Sequence, residues 1–202
     1  MKIIGVCGGS GSGKSTVSAF LASFGGSMLD TDRIYHELIN TSSPCVDALV
    51  EAFGREVLAG NTIDRNKLRD VVFSDEKKRQ LLNSISHRYV LEELEKRIKN
   101  AEKENCPFVV IDAPLLFEAG LDERCDIVIA VVADRLTRVK RITERDGITE
   151  KAALERIDKQ IPDDKLTGMC DAVIKNESTR DEMEKQCKNL MRVLGFCKED
   201  KE

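Results

Sequence analysis

The sequence predicts an α/β fold in which short buried strands alternate with helices. The first observation is an apolar run at residues 3–7 that leads into a glycine-rich loop and then into apolar residues at helical spacing. The second is a pair of continuous apolar runs at residues 108–112 and 126–133, which are typical of strands buried on both faces. The third is a long block at residues 33–105 that reads as helical. We therefore expect one α/β domain that carries a helical insertion.

Length, composition and charge favour a small soluble enzyme. The chain has 202 residues, which is enough for one domain with a sizeable core. A net charge of −4 and an aromatic content of 4% do not suggest a nucleic-acid-binding surface, and no apolar stretch has the length of a membrane span. Seven scattered cysteines without a C-x-x-C pair indicate free thiols in a reducing compartment, so a cytoplasmic location is expected.

The glycine-rich loop at residues 8–15 fits the pattern G-x-x-x-x-G-K-[ST] at every fixed position. A strand before it and a helix at residues 17–24 after it give the context in which this pattern binds phosphate. Glycines allow the backbone to bend around an anion, so that successive N–H groups and the positive end of the helix point at it. The residues expected to surround the nucleotide are Gly9, Ser10, Gly11, Ser12, Gly13, Lys14, Ser15 and Thr16.

Two side chains of this loop carry the expected chemistry. Lys14 would place a positive charge at the β- and γ-phosphates, and the Ser15 hydroxyl could hold Mg²⁺. The alternative is a glycine-rich turn that is followed by lysine and serine by chance. The strand and the helix on either side of the loop favour the phosphate site.

Two carboxylates follow the second predicted strand, residues 27–29, at the end of the strand where open α/β sheets bind ligands. If the strand continues to Asp32, alternation places Asp30 and Asp32 on one face. If a helix begins there instead, Asp30 or Thr31 is its N-cap. Asp32 is thus a candidate functional carboxylate, and the alternative is that both aspartates only cap or solvate the turn.

The block at residues 33–105 shows helical periodicity and no strong strand signal. Helix starts are predicted at Pro44, at Asp64 and at Ser74, and the last of these begins the longest helix. This helix carries an apolar stripe that reads as core, at Leu91, Leu94, Ile98 and Ala101. A helical block between strands two and three would suit a substrate-binding subdomain, although periodicity does not identify its ligand. His87 alone is better explained by packing or capping than by catalysis.

The remaining strands lead to polar side chains. The strand at residues 108–112 ends in Asp112, which could take Mg²⁺ through water or orient the acceptor beside the glycine-rich loop. The fifth strand, residues 171–175, is followed by Asn176, whose amide could pair with a base edge or could tolerate a left-handed turn. The closing helix presents an ordinary core face, and residues 198–202 after it are expected to fray.

An amphipathic helix is predicted at residues 135–145, with an apolar face at Leu136, Val139 and Ile142. At about 100° per residue, three arginines fall within about 60° of one another beside that face: Arg138, Arg141 and Arg145. Clustered guanidinium groups repel one another unless anions accept them, and their planar forks suit phosphoryl oxygens. With the glycine-rich loop present, a phosphate clamp is favoured over the alternative, a solvated basic face that is paired with Glu144 or Glu155.

A second helix is predicted after the turn at Asp146 and Gly147, with Thr149 as its N-cap and Pro162 at its end. Short helices that are joined by a turn and are rich in arginine suit a mobile lid. Residues 135–162 are therefore predicted to form a lid segment.

Taken together, the motifs resemble those of the dephospho-CoA kinase family across nearly the whole chain. They are G-G-S-G-S-G-K-S at 8–15, D-T-D-R-I at 30–34, D-R-N-K-L-R-D-V-V-F at 64–73, D-A-P-L-L-F-E-A-G-L at 112–121, R-D-G-I-T at 145–149 with R-I-x-x-Q at 156–160, and D-A-V-I-K-N at 171–176. The glycine-rich loop alone is similar to that of uridine kinases, and P-L-L-F-E together with D-T-D selects the family. One departure is Arg88, where the family usually has proline after the histidine; a helix should therefore continue here, and His87 receives no role.

The resemblance implies a P-loop kinase fold with a five-stranded parallel sheet flanked by helices, a helical CoA-binding subdomain at residues 33–105 and a lid at residues 135–162. It also implies transfer of the γ-phosphoryl group of ATP, with Mg²⁺, to the ribose 3′-hydroxyl of dephospho-CoA, the final step of coenzyme A synthesis. The enzyme would be cytoplasmic, a monomer or small homo-oligomer, and without nucleic-acid or membrane partners. Rival functions are another small-molecule P-loop kinase, such as a nucleoside kinase, and a non-catalytic nucleotide switch.

The resemblance also assigns roles to matching residues. Asp32 would be the general base, Lys14 a phosphate ligand and Ser15 the metal ligand. Asp112 is not assigned by the resemblance: its place at the tip of the neighbouring strand makes it the competing candidate for the base and a candidate metal ligand. The remaining assignments are lid contacts for Arg138, Arg141 and Arg145, and a place near the adenine for Asn176.

Overall fold

The computed structural model describes residues 1–73 and 75–197. The chain divides into two compact units, one of residues 1–29 and 101–202 and the other of residues 30–100. The predicted helix start at Ser74 and the predicted fraying of residues 198–202 lie outside the described residues.

The first unit is built on a five-stranded parallel sheet. Its strands are β1 (Lys2–Cys7), β2 (Ser27–Asp30), β5 (Phe108–Asp112), β6 (Ile127–Val132) and β7 (Ala172–Lys175). Their order in the sheet is β2-β5-β1-β6-β7, with β1 at the centre. All five strands were predicted, and the predicted bounds differ by at most one residue at either end. Asp126 and Asp171 fall just outside their strands, and their carboxylates accept the backbone N–H groups of Ile3 and Val128.

The helices of this unit are α1 (Lys14–Ala22), α6 (Arg135–Asp146), α7 (Glu150–Asp158), α8 (Asp163–Gly168) and α9 (Arg180–Val193). α1 packs against α9 and against β5. The core between them includes Ile4, Val6, Val17, Leu21, Phe108, Ile129, Met183 and Met191. Each such fully buried side chain contributes about 1.5–3 kcal/mol through removal of apolar surface from water. Gly26 is required beside this core, since a Cβ atom there would lie 2.2 Å from the Phe108 ring.

The predicted apolar face of α6 is partly wrong. Val139 and Ile142 are buried, but Leu136 is 82% exposed. Arg138 takes the inward position in the first turn, and Leu136 lies about 160° away from it around the helix axis. Pro162 does not end α7, which finishes at Asp158; it is the N-cap residue of α8, a short helix that was not predicted.

The second unit contains α2 (Thr31–Ile39), α3 (Pro44–Phe53), α4 (Arg65–Val72) and most of α5 (Glu76–Lys103). α3 begins at Pro44 behind an N-cap of Ser43, and Asp64 caps α4 by accepting the N–H groups of Asn66 and Lys67. α5 runs unbroken through positions 87 and 88, as the absence of proline predicts. Its stripe is buried at Leu94, Ile98 and Ala101, whereas Leu91 is only half-buried.

This unit has its own apolar core, formed by Ile39, Cys45, Leu49, Phe53, Val57, Ile63, Leu68 and Val72. It also holds a short antiparallel hairpin of β3 (Leu58–Ala59) and β4 (Thr62–Ile63), which was not predicted. Two-residue strands are too short to show the alternation by which strands are recognised. The turn at Gly60 was predicted, and its φ of 66° favours glycine. Among the described helices, none combines the length and apolar character needed to cross a membrane.

Candidate active site

The glycine-rich loop connects β1 to α1 and has the conformation that an anion site needs. Gly11 and Gly13 have φ angles of 79° and 84°, in the left-handed region that side chains disfavour. Gly13 is the N-cap residue of α1, and its carbonyl accepts the N–H groups of Thr16 and Val17. Ser15 and Thr16 are exposed in the first turn. The positive end of the helix therefore lies at the loop, where it favours a phosphate.

Lys14 and Asp112 form a buried ion pair beside this loop. Val6 of β1 is in register with Asp112 of β5, so the ends of the two strands lie next to each other. The Lys14 Nζ donates to Asp112 Oδ1, and the two side chains are 12% and 1% exposed. The pair holds the ammonium group at the end of the central strand, where an incoming phosphate would compete with the carboxylate for it.

The oxygen donors at this position suit Mg²⁺. The Ser15 hydroxyl and the Asp112 carboxylate are hard ligands, and Mg²⁺ is usually bound through one or two carboxylates, water and substrate phosphates. Within the described ranges, no cluster of three or more His, Cys, Asp or Glu side chains could hold a metal ion.

Arg138 and Arg141 both contact the loop, but on its carbonyl groups. The Arg138 Nε donates to the Ser10 carbonyl at 2.9 Å. The Arg141 Nη1 donates to the carbonyls of Gly11 at 3.2 Å and Ser12 at 3.3 Å. The predicted arginine cluster is thus brought to the loop, where its first two members donate to backbone carbonyls.

Asn176 completes this set of contacts. Its Nδ2 donates to the Ser12 carbonyl at 2.8 Å, and a Cβ atom at Gly13 would lie 2.1 Å from the same nitrogen. The side chain is buried, and its backbone is not left-handed. Asn176 therefore supports the loop directly, and the predicted contact with the adenine stays a prediction.

Arg145 is bound to a neighbouring carboxylate. Its Nε and Nη2 donate to the two carboxylate oxygens of Asp146 at 2.7 and 3.0 Å, and Arg156 donates to Asp146 as well. The predicted acidic partners Glu144 and Glu155 are not the ones that this cluster uses. Hydrogen bonds from Arg145 and Arg156 hold the pKa of Asp146 well below its usual range.

This depressed pKa gives a pH prediction for the lid segment. The pairing contributes stability above the unfolded-state pKa of about 3.9 and loses it as the pH falls towards the folded-state pKa. We expect Asp146→Asn to lower the Tm by the same few degrees between about pH 5 and about pH 8, and the difference to shrink below about pH 4. Thermal melting across this range measures it, with Glu144→Gln, an exposed carboxylate on the same helix, as the control. A difference that widened in acid would contradict the assignment.

Cys7 is the last residue of β1 and directly precedes the loop. Its Sγ lies 3.5 Å from the Sγ of Cys170. Burial raises the pKa of the Cys7 thiol well above its usual value, and the neighbouring Cys170 raises it further. The thiol is therefore protonated at neutral pH, so it adds no negative charge beside a bound phosphate. None of the seven cysteines, which all lie within the described residues, forms a disulfide.

Asp32 belongs to the second unit, where it lies in the first turn of α2 and is exposed. Of the two alternatives for this stretch, the helix is present: β2 ends at Asp30, whose carboxylate caps α2 by accepting the N–H of Arg33 at 3.0 Å. Asp32 is thus not the capping residue. Its role as a base stays a prediction.

Sequence reasoning assigned no role to Gln160 and Asp163, which both bind Arg138. Gln160 was visible as the last residue of the R-I-x-x-Q motif, but its partner could not be read from spacing. Asp163 follows Pro162, and no signal in the sequence connects it to an arginine on a different helix.

Comparisons with known proteins agree over almost the full length. A family model described as dephospho-CoA kinase matches residues 2–182. The chain is 37% identical over 189 residues to a dephospho-CoA kinase of Corynebacterium glutamicum, covering 93% of this chain and 94% of that protein. It is 39% identical over 187 residues to one of Geobacter metallireducens, covering 92% and 93%.

Solved structures with a similar fold include one dephospho-CoA kinase. A protein from Thermus thermophilus has a TM-score of 0.80 and 31% identity, with 96% of each chain covered. A dephospho-CoA kinase from Campylobacter jejuni has a TM-score of 0.71 and 26% identity, covering 96% of this chain and 98% of that one. A shikimate kinase from Acinetobacter baumannii, 19% identical with a TM-score of 0.55, is similar in fold alone.

Proposed function

The chain belongs to the dephospho-CoA kinase family, and we propose that it transfers the γ-phosphoryl group of ATP to the ribose 3′-hydroxyl of dephospho-CoA at the end of its central strands. The observation that carries this proposal is the glycine-rich loop at the start of α1, with Lys14 joined to a buried carboxylate of the neighbouring strand. Phosphoryl transfer requires mainly that the protein position the reactants and stabilise charge, and the loop, the lysine and the carboxylate together can do both.

Lys14 is the proposed ligand of the β- and γ-phosphates. Its ammonium group is held at the loop by Asp112 before a nucleotide arrives, so little reorganisation is needed when phosphate replaces the carboxylate. Backbone N–H groups at the start of α1 would take the phosphate oxygens. Ser15 and Asp112 would hold Mg²⁺, which neutralises developing phosphoryl charge when it is bound.

Asp32 is the proposed general base. It follows the end of β2 by two residues, and ligands of open α/β sheets bind at the carboxyl ends of strands. A carboxylate at this position can accept the proton of the attacking hydroxyl. Its position in the first turn of α2 places the carboxylate on a rigid element.

The lid segment is proposed to supply cations that stabilise the transferring group. Arg141 is half-buried beside the loop and uses Nη1 for the Gly11 and Ser12 carbonyls, which leaves its other N–H groups for phosphate. Arg145 would have to leave Asp146 to reach a nucleotide, which fits a contact that forms only on closure. Residues 33–105 are proposed to bind the CoA moiety.

We also place the reaction in the cytoplasm, with the protein acting as a monomer or a small homo-oligomer and without a nucleic-acid or membrane partner. Free thiols support a reducing compartment. A net charge of −4 gives no general attraction to nucleic acid.

Incubation with ATP, Mg²⁺ and a panel of acceptors tests the function. We expect phosphorylation of dephospho-CoA, detected by mass spectrometry of the product and by ADP release, and no turnover of uridine or shikimate. If uridine were phosphorylated and dephospho-CoA were not, the acceptor would be a nucleoside. Tight ATP binding without turnover of any acceptor would favour a nucleotide switch.

A further inference from the structure

We propose that Arg138, Gln160 and Asp163 form a positioning network that holds the glycine-rich loop in its phosphate-binding shape. The network acts from the carbonyl side of the loop, and Arg138 is a positioning residue within it. This inference rests on the proposed function in one respect, that the loop binds the phosphates of ATP. It does not depend on the identity of the acceptor.

Arg138 is fixed by protein groups on all sides of its guanidinium. Nε donates to the Ser10 carbonyl at 2.9 Å, Nη1 to both carboxylate oxygens of Asp163 at 3.0 and 3.3 Å, and Nη2 to Gln160 Oε1 at 2.7 Å. Its side chain is only 5% exposed. Burial of a cation is costly unless the cation is paired and hydrogen-bonded, and the Asp163 carboxylate offsets this cost for Arg138. Each of the three guanidinium nitrogens of Arg138 thus donates to a protein group.

Gln160 binds the same loop residue from its other side. Its Oε1 accepts the Ser10 N–H at 2.9 Å as well as the Arg138 Nη2 at 2.7 Å. A carboxamide oxygen accepts two hydrogen bonds, so both acceptor positions are used. The backbone of Ser10 is consequently held at its carbonyl by Arg138 and at its amide by Gln160.

The loop lies so close to this network that glycine is needed at its contact point. A Cβ atom at Gly9 would lie 2.2 Å from Arg138 Nη2 and 3.0 Å from Gln160 Oε1. A Cβ atom at Gly11 would lie 2.7 Å from the Arg138 carbonyl. The glycines therefore serve the packing of the loop against α6 as well as its curvature.

In the described part of the chain, the side chains of Arg138, Arg141 and Asn176 donate to carbonyl groups of the loop, and Gln160 accepts the Ser10 amide. Carbonyls that are bound from behind cannot rotate towards the anion, and a loop held in this way is preorganised for phosphate. Loss of the network should thus weaken ATP binding, because the loop would have to be ordered when the nucleotide binds. Binding of the acceptor should not change.

Gln160→Met removes the hydrogen-bond acceptor Oε1 of Gln160, since methionine has a similar length and no oxygen. ATP binding is measured by calorimetry with Mg²⁺ and no acceptor present, so that the result stands whichever acceptor is used. We expect the Kd for ATP to rise about tenfold, as for the loss of one or two hydrogen bonds, with the KM for dephospho-CoA within about twofold of wild type. Lys159→Met, an exposed neighbour, is the matched control and should bind ATP normally.

Gln160→Glu provides the conservative rescue. A carboxylate accepts the same two hydrogen bonds, so this variant should bind ATP at least about threefold more tightly than Gln160→Met. An unchanged Kd for ATP in Gln160→Met, with a lowered Tm, would show a purely structural role and overturn the proposal. Equal loss of ATP binding in the Glu and Met variants would also overturn it.

A double-mutant cycle tests whether the residues act as one unit. Arg138→Met and Gln160→Met should each raise the Kd for ATP. The Kd of the double variant should be close to that of the single variant with the higher Kd, because both changes release the same loop residue. Fully additive effects on the Kd for ATP would contradict the network. If Arg138 instead contacted the phosphates, Arg138→Met would lower kcat strongly and Gln160→Met would not.

Discussion

Replacement of Lys14 by alanine should reduce kcat by about 10²–10³-fold, the usual effect of removing one preorganised charge from a transition state. The same change should lower stability. Asp112 is 1% exposed and would lose the ammonium group that faces it, and breaking a buried pair by removing one partner costs about 3–5 kcal/mol. Turnover and thermal melting on the same sample measure both effects.

A second variant separates the two consequences. In the double variant Lys14→Ala with Asp112→Asn, the buried carboxylate that faced Lys14 is replaced by a neutral amide. We therefore expect its Tm to return most of the way from that of Lys14→Ala to that of wild type, while turnover stays low. Normal activity in Lys14→Ala would exclude the glycine-rich loop as the ATP site. A double variant that melted as early as the single one would show that the stability loss has another origin.

Asp32→Asn should lower kcat by about 10²-fold or more, with little change in the affinity for ATP. Asparagine is nearly isosteric with aspartate but cannot accept the proton of the attacking hydroxyl. The carboxylate is exposed and lies in the first turn of α2, so its neutralisation should lower the Tm by no more than a few degrees. Steady-state kinetics with dephospho-CoA as the acceptor measure the effect.

The chain offers a matched control two residues away. Asp30→Asn alters the N-cap of α2, where asparagine caps as well as aspartate, so turnover and Tm should both stay near wild type. Asp112→Asn should raise the Mg²⁺ requirement and leave turnover substantial at saturating Mg²⁺. If Asp32→Asn kept near-full turnover while Asp112→Asn was inactive at saturating Mg²⁺, the roles of the two carboxylates would be reversed.

The sequence by itself determined the strands and the glycine-rich loop that follows β1. Buried parallel strands are continuous apolar runs, so β5 and β6 were identified within one residue of their ends. The loop at residues 8–15 was identified because its chemistry depends on a short, contiguous pattern between a strand and a helix. Helix starts at Pro44 and Asp64 followed from local capping. Each of these features depends on neighbours in the chain.

Tertiary structure alone decided which partner each long side chain reaches. Helical spacing placed Arg138, Arg141 and Arg145 on one side of α6, but it could not show that Arg138 turns inward at the expense of Leu136. Nor could it show that Arg145 binds Asp146. Periodicity gives angles around a single helix axis, whereas the direction of burial is set by the elements packed against it.

The same limit applies to the partners of the glycine-rich loop. The bond from Lys14 to Asp112 and the bond from Ser10 to Gln160 join residues 98 and 150 positions apart in the chain. Such contacts arise from the order of the strands and from the return of the chain after α7, and no local pattern carries that information. The sequence thus predicted where a phosphate would bind. The packing of α6 and of the segment after α7 against the loop determined which side chains hold the loop in place.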